Sequence, residues 1–280
     1  MVNAVWVWGL ARALGGEVLL RLEDHDRTRC RAEYEAALLD ELDWLGLAPD
    51  LAPTDHFRDG GPSPWRQSDN DAVYAAALAS LRGAGRVYAC ACSRKSLALV
   101  VPDLANEEMR YPGICRERGL AHGPGLGLRV RLDDGVECFD DAVVGPQAQA
   151  PAEQCGDLLV QDRLGHWTYQ FAVTVDDLRH GVDLVVRGQD LLDSTGRQLA
   201  LARLLGRAAP PVFAHHPLIL KPGGEKLSKA AGDAGLRELR AAGAAPADVL
   251  GEAAWRSGLL RERRPVEAAA LAGLFETRGA

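Results

Sequence analysis

Apolar residues recur at the spacing of an α-helix in three stretches of the first third of the chain. The pattern predicts helices over 2–14, 31–45 and 71–82, and the first two are followed by glycines that end them. A short apolar run over 17–22 predicts a β-strand that leads into a group of acids. Residues 48–66 are rich in proline, glycine and aspartate, so we expect a long surface loop there.

The pattern changes after Cys90. Helical periodicity fades until about residue 161, and prolines and glycines interrupt the chain. Strands are predicted again over 128–132, 158–161, 167–171 and 182–186, and a helix over 194–205. Helices and strands therefore alternate on both sides of an inserted segment. This arrangement predicts an α/β fold with a parallel sheet flanked by helices.

The composition is ordinary for a globular protein, with 47% hydrophobic and 25% charged residues among 280. This length is enough for one large domain with an insertion. No apolar run approaches the ~20 residues of a membrane-spanning helix. The N-terminus also lacks the basic residues of a signal peptide. The working expectations are a cytoplasmic location, no membrane contact and a monomer.

The net charge of −7 gives no overall positive field, so a nucleic-acid partner would need a local basic groove. Lysine occurs at only four positions, and three of them are close together in a glycine-containing stretch: Lys221, Lys226 and Lys229. Mobile ammonium groups in such a loop can contact a triphosphate and stabilise the charge that develops as pyrophosphate leaves. A chance surface cluster is the alternative.

Cysteines are clustered in one part of the chain. Cys90 and Cys92 are two residues apart, and Cys115 follows Tyr111 by four residues. In a reducing compartment this clustering favours a metal over disulfides. Three thiolates can bind a tetrahedral zinc ion, which needs a fourth ligand, either the Tyr111 phenolate or His122. Buried thiols without a metal are the alternative. The isolated cysteines are expected to be packing residues: Cys30, Cys138 and Cys155.

Acidic residues follow the strand predicted over 17–22, and Glu23 is the first of them. Acids at the carboxyl end of a strand lie where open α/β sheets bind ligands. Tyr169 and Arg187 are each predicted at the end of another strand. A carboxylate, a phenol and a guanidinium that converge can hold an amino acid, with Glu23 on the α-ammonium and Arg187 on a carboxylate. A solvated acidic turn is the alternative explanation.

Four separated motifs carry a family resemblance that spans nearly the whole chain. They are VLLRLEDHDRTR, CAC followed by YPGIC, TYQFAVTVDDLRHGVDLVVRGQDLL, and HHPLILKPGGEKLSKAAGD. In this order they resemble the glutamyl-queuosine tRNA(Asp) synthetases, which are truncated relatives of glutamyl-tRNA synthetase. The stretch 226–230 looks like the class I Lys-Met-Ser-Lys-Ser signature, with alanine as its last residue.

The resemblance implies a Rossmann-type class I catalytic domain with an inserted zinc-binding subdomain and a short helical C-terminal part. Its expected divisions are 1–85 for the first half of the Rossmann domain, 86–160 for the insertion, 161–220 for the second half, and 221–280 for the lysine loop and helical region. The absence of an anticodon-binding domain favours the modifying enzyme over the enzyme that charges tRNA at its 3′ end.

The resemblance also implies a reaction. Such enzymes activate glutamate with ATP and Mg²⁺ to an adenylate, then transfer it to queuosine in the anticodon of tRNA(Asp). Matching positions assign glutamate binding to Glu23, Tyr169 and Arg187, ATP binding to Ser228 and Lys229, catalysis to Lys226 and Lys229, and one structural zinc to Cys90, Cys92, Tyr111 and Cys115.

The family opens with a strand, a Pro-Ser-Pro-Thr-Gly-type loop and a His-Ile-Gly-His-like turn, and Val2-Asn3-Ala4 resembles the helix that continues from that turn. Half of the ATP site is therefore expected to be missing. The sequence-level explanations are a start codon placed too far downstream or a catalytically inactive zinc- and tRNA-binding remnant. A fragment of a glutamyl-tRNA synthetase is a further alternative.

Overall fold

The computed structural model describes residues 1–26, 30–100, 110–219 and 235–276. Its helices are α1 (Val2–Ala13), α2 (Ala32–Leu45), α3 (Thr54–Arg58), α4 (Asp71–Gly83), α5 (Arg94–Ala98), α6 (Pro151–Gln154), α7 (Tyr169–Arg179), α8 (Thr195–Leu204), α9 (Leu236–Ala241), α10 (Pro246–Arg256) and α11 (Gly273–Glu276). Its strands are β1 (Val87–Cys90), β2 (Gly127–Val130), β3 (Glu137–Asp141), β4 (Gly145–Gln149), β5 (Leu158–Gln161), β6 (Leu184–Gly188) and β7 (Val212–His216). None of the described helices is long and apolar enough to cross a membrane.

The three helices predicted in the first third of the chain are confirmed as α1, α2 and α4. Gly46 follows α2 with a φ angle of +71°, a left-handed conformation that glycine adopts without steric strain. The apolar face of α2 buries Leu39, Leu42 and Leu45. Their spacing of three residues places them on one side of the helix, whereas Tyr34 and Leu38, which the sequence pattern puts on one stripe with Leu42 and Leu45, are exposed.

Two expectations for the loops and strands are corrected. The stretch 48–66 is not entirely loop, because it contains α3. The run over 17–22 forms isolated parallel bridges, Leu19 to Leu51 and Leu22 to Arg66, instead of a continuous strand. A strand needs a regular partner along its length, and the local sequence does not reveal whether one is supplied.

The strand predicted over 167–171 is wrong. Trp167 forms a single antiparallel bridge with Gln161, and Tyr169 is the first residue of α7. The aromatic residues favour a strand locally, but Phe171 and Val175 lie one helical turn apart and are both buried in the core. Tertiary packing therefore overrides the β propensity of this short run.

The sheet that carries the candidate site has the strand order β4-β3-β7-β6. β6 and β7 are parallel, β3 pairs with β7 in parallel through Asp141 and Phe213, and β4 is antiparallel to β3. The predicted parallel sheet is thus a mixed sheet, because the hairpin of β3 and β4 extends it. A separate antiparallel sheet has the order β1-β2-β5.

Two main apolar cores lie in the described part of the chain. One joins α1, α2 and α10, with Val5, Leu42 and Leu250 among its most buried residues. The other packs α4, α7 and α8 with the antiparallel sheet and includes Tyr74 and Phe171. The helical C-terminal part is therefore packed against the first helix of the chain. The division of the chain at residues 86 and 160 stays a prediction.

Candidate functional site

The guanidinium group of Arg187 is buried at the end of β6 and is held by three neutral acceptors. Its Nη1 donates to Gln198 Oε1 at 2.6 Å, its Nη2 to Thr195 Oγ1 at 2.9 Å and its Nε to His215 Nε2 at 2.9 Å. Thr195 and Gln198 are three residues apart in the first turn of α8, so they present their side chains on one face. Burial lowers the pKa of Arg187, although a guanidinium of this kind stays protonated.

A histidine and an aspartate extend this network across neighbouring strands. His215 pairs with Arg187 in the register of β6 and β7, and its Nδ1 lies 2.5 Å from Asp141 Oδ2. Asp141 is the last residue of β3, and it is buried together with His215. Sequence reasoning missed both residues, although the histidine pair in the stretch HHPLIL was visible in the sequence.

The structure brings the three residues predicted for an amino-acid site together. Tyr169 is partly buried at the start of α7, and its hydroxyl interacts with Arg187. Burial raises the pKa of Tyr169, and the charge of Glu23 raises it further. Glu23 is partly exposed and accepts a hydrogen bond from Arg21 at 2.8 Å. The charges of Glu23 and Arg187 therefore act on the pKa of Tyr169 in opposite directions.

A buried acidic residue beside this site was not anticipated. Asp176 in α7 is fully buried and accepts hydrogen bonds from Gln67 Nε2 at 2.8 Å, Tyr74 Oη at 2.9 Å and Arg179 Nε at 2.8 Å. Gln67 in turn contacts His25, whose ring centroid is 6.3 Å from that of Tyr169. No helix was predicted over this stretch, so no sequence signal indicated that Asp176 lies on a buried helix face.

The predicted thiol cluster is present. The sulfur atoms of Cys90, Cys92 and Cys115 lie within 4.8 Å of one another. Tyr111 Oη is 3.5 Å from Cys90 Sγ and accepts the backbone N–H of Cys115 at 2.8 Å. Gly156 has a φ angle of +68° beneath this tyrosine, and a Cβ there would collide with the Tyr111 carbonyl oxygen. Only a glycine therefore lets the chain approach this closely.

The electrostatic environment of the cluster suits metal binding. Burial raises the pKa of the Cys115 thiol, but backbone and neighbouring hydrogen bonds outweigh it and bring the value down to about 7. Burial and the adjacent thiols raise the pKa of Cys92 to about 11. The pKa of Tyr111 is raised, chiefly by burial. A divalent cation opposes such increases because it stabilises thiolate and phenolate.

The exposure of His122 and of the other three cysteines tests the remaining predictions. His122 is exposed and does not belong to the group of sulfur ligands in the described chain. Cys155 is buried, as expected for a packing residue. Cys30 and Cys138 are exposed, so the packing role predicted for them is wrong. An isolated cysteine in a sequence does not show which face of its element it occupies.

The residues predicted to bind ATP lie outside the described residues. Lys226, Ser228 and Lys229 fall within 220–234, so their roles stay predictions.

Comparison with known proteins agrees with the motifs. The family of class I tRNA synthetases for glutamate and glutamine, catalytic domain, matches residues 2–250. A glutamyl-Q tRNA(Asp) synthetase of Symbiobacterium thermophilum is 41% identical over 98% of this chain and 86% of its own length. A glutamate–tRNA ligase of Frankia casuarinae is 37% identical over 88% of this chain, which corresponds to 50% of its own length.

Solved structures agree on the fold. The crystal structure of a glutamate–tRNA ligase from Elizabethkingia meningosepticum, in complex with its amino acid, matches with a TM-score of 0.76 and 23% identity. The match covers 97% of this chain, and the chain spans 60% of that protein. The fold is that of a class I synthetase catalytic domain, and the chain belongs to the glutamyl-Q tRNA(Asp) synthetase family.

Proposed function

We propose that the protein activates glutamate with ATP and transfers it to queuosine in the anticodon of tRNA(Asp). The observation that carries this proposal is the buried cation of Arg187 beside Tyr169 and Glu23. Arg187 matches one of the two carboxylates of glutamate, and Glu23 matches its ammonium group. The Symbiobacterium relative, named for this activity, shares most of its length with this chain and so supports the same conclusion.

Each of the three groups has a role in the proposed reaction. Arg187 binds a carboxylate through charge-assisted hydrogen bonds, and Glu23 pairs with the α-ammonium. The hydroxyl of Tyr169 hydrogen-bonds the bound amino acid between them. Fixing glutamate in one orientation places its reacting carboxylate for attack on the α-phosphorus of ATP, and pyrophosphate leaves.

The proposal assigns the ATP contacts to the lysine loop. Lys226 and Lys229 stabilise the charge on the leaving pyrophosphate, with Mg²⁺ as counterion, and Ser228 contacts ATP. In the second step a hydroxyl group of queuosine attacks the acyl carbon of the adenylate. The ester bond forms, and AMP leaves with the electrons of the broken acyl–phosphate bond.

The thiol cluster is proposed to hold one structural zinc ion. Cys90, Cys92 and Cys115 supply three sulfur ligands, and Tyr111 is the fourth ligand because its hydroxyl lies beside the sulfur atoms. Zinc would link β1 to the loop of Cys115 through coordination bonds. The zinc-binding segment is proposed to form an inserted subdomain within 86–160.

Metal analysis tests the zinc proposal. We expect the purified protein to contain one equivalent of zinc and Cys92→Ser to lose it, because three ligands cannot close a tetrahedral structural site. Cys138→Ser is the matched control, since Cys138 is exposed and outside the cluster. Equal zinc contents in the protein and in Cys92→Ser would contradict the proposal.

Two measurements on the full chain test the function. Glutamate-dependent exchange of label between pyrophosphate and ATP reports activation. Transfer is measured with labelled glutamate and tRNA(Asp) that contains queuosine but lacks its 3′-terminal adenosine. We expect label on this tRNA and none on tRNA(Asp) without queuosine. Label that requires the 3′-terminal adenosine would indicate a charging enzyme. Retention of tRNA without exchange would indicate an inactive binding protein.

A variant tests the assignment of Arg187. We expect Arg187→Ala to lose at least about a hundredfold in glutamate affinity, since a charge-assisted pair is removed and buried acceptors lose their donor. ATP affinity should stay within about twofold of that of the unchanged protein. Arg203→Ala is the control, because Arg203 in α8 is exposed on the protein surface. Unchanged glutamate affinity in Arg187→Ala would refute the assignment.

A further inference from the structure

We propose that Asp141 and His215 are positioning residues that keep Arg187 correctly oriented, and free of a contacting anion, for the carboxylate of glutamate. This inference rests on the proposed function and deepens it. Neither residue reaches the substrate in the proposal, because each acts through Arg187.

The chain of hydrogen bonds is fixed at its far end. Asp141 Oδ1 accepts the backbone N–H groups of Val143 at 3.0 Å, Val144 at 2.9 Å and His215 at 3.2 Å. Its second oxygen faces His215 Nδ1 at 2.5 Å. The other ring nitrogen lies 2.9 Å from Arg187 Nε. The backbone turn therefore fixes the carboxylate, which in turn fixes the ring.

Only one form of the imidazole satisfies this arrangement. Arg187 Nε always bears a proton, so His215 Nε2 must accept. The ring proton must then lie on Nδ1, where it is donated to Asp141. The hydroxyl of Thr195 is also 3.3 Å from Nε2 and can donate a second hydrogen bond to this unprotonated nitrogen. Burial lowers the pKa of His215, in agreement with a neutral ring.

Arg187 differs in its partners from two partly buried arginines nearby. Arg21 pairs with Asp177 at 2.8 Å, and Arg179 pairs with Asp176 at 2.8 Å. Among the described residues, no carboxylate lies within ion-pairing distance of Arg187, whose nearest acceptors are all neutral. A buried cation without a contacting anion is unfavourable, so the site favours a ligand that brings a carboxylate.

Because the ring of His215 is neutral, it can orient the guanidinium of Arg187 without cancelling its positive charge. A carboxylate in direct contact with Arg187 would also orient the guanidinium. Such a carboxylate would, however, occupy the N–H donors and neutralise the positive charge before the substrate arrives. Asp141 instead contacts His215, and the His215 ring separates the carboxylate from Arg187. The hydrogen bonds to His215, Gln198 and Thr195 use three of the five N–H groups of Arg187, and the hydroxyl of Tyr169 interacts with the same guanidinium. The donors that remain serve the substrate.

Asp141→Asn tests the proposal because it keeps the oxygen that accepts the backbone N–H groups and changes only the atom that faces His215. The amide N–H₂ of the variant would donate to Nδ1 of His215, so the ring proton would move to Nε2. Two N–H donors, on His215 Nε2 and Arg187 Nε, would then face each other. We expect glutamate affinity, measured by calorimetry on the full chain, to fall by about tenfold or more. ATP affinity should stay within about twofold. Asp140→Asn, the exposed neighbour on β3, is the matched control.

Two variants of His215 keep the test decisive if Asp141→Asn lowers the melting temperature. Glutamine can accept from Arg187 and donate to Asp141, whereas methionine has a similar size and does neither. We expect His215→Gln to keep most of the glutamate affinity and His215→Met to lose about tenfold or more. Equal affinities in these two variants, or normal affinity in a folded Asp141→Asn, would overturn the inference. If the unchanged protein itself does not bind glutamate, the proposed function fails.

Discussion

The side chain of Arg129 contacts one sulfur atom of the thiol cluster and the ring of Tyr111 beside it. Its Nε lies 3.4 Å from Cys90 Sγ, its guanidinium carbon is 3.6 Å from the centre of the Tyr111 ring, and its Nη1 donates to the Asp157 carbonyl oxygen at 2.7 Å. Three thiolates and a phenolate carry two more negative charges than a zinc ion neutralises. A buried guanidinium in contact with a ligand offsets part of this excess and orients the ring at the same time.

We therefore expect Arg129→Met to weaken zinc binding by about tenfold or more, because residues that orient metal ligands have effects of this size. Competition with a coloured chelator measures the affinity. Arg131→Met is the control, since Arg131 lies 5.1 Å from the Tyr88 ring and pairs with the exposed Glu117. Zinc affinities that do not differ between the two variants would show that Arg129 only packs.

At the scale of elements, α1, α2, α4 and α8 were predictable, whereas α3, α7 and the ends of the strands were not. α1, α2 and α4 follow from apolar periodicity, because a helix satisfies its backbone hydrogen bonds within its own sequence. α7 was mistaken for a strand at its first residues, where a run of aromatic residues coincides with the helix start. The hairpin of β3 and β4 pairs with β7 far along the chain, and no local pattern specifies that pairing.

The same α7 carries Asp176, a fully buried carboxylate. Asp176 joins α7 to Gln67 and to Tyr74 of α4. We expect Tyr74→Phe to lower the free energy of unfolding by about 1–3 kcal/mol, because it removes a donor from a fully buried carboxylate.

Urea unfolding measures the change in Tyr74→Phe. Tyr34→Phe is the control, since the side chain of Tyr34 is exposed. An equal effect in both variants would mean that the hydroxyl of Tyr74 contributes nothing through Asp176.

At the scale of the whole molecule, residues distant in sequence complete the site. Glu23, Tyr169 and Arg187 were proposed because each stands in a recognisable motif, and their roles stay predictions. Asp141 and His215 are 74 positions apart, and only the pairing of β3 with β7 shows that they meet. Asp176 was missed for a similar reason, since its donors come from 102 and 109 positions away. Buried polar networks of this kind are properties of the folded chain.

Buried histidines predict how stability depends on pH. Burial lowers the pKa of His180, His215 and His216 below the ordinary value of 6.5. Below that value the unfolded chain binds protons that the folded protein does not. The stabilisation is therefore present above the unfolded pKa and is lost as the pH falls, so we expect the free energy of unfolding to decrease from about pH 7 to about pH 5.

Urea unfolding at both pH values checks this expectation. His216→Gln should reduce the dependence on pH, whereas His122→Gln should not, because His122 is exposed. Stability that rises towards the lower pH would contradict the sign of the effect.

The hairpin of β3 and β4 has a practical consequence for protein engineering. It lies between 86 and 160, the stretch expected to form the insertion, yet β3 ends at Asp141 in the sheet that carries Arg187. Grafting this whole stretch from a distant relative would therefore exchange a support of the amino-acid pocket together with the thiol cluster. A chimera that preserves the pocket would have to leave 137–149 in place and exchange the flanking segments separately.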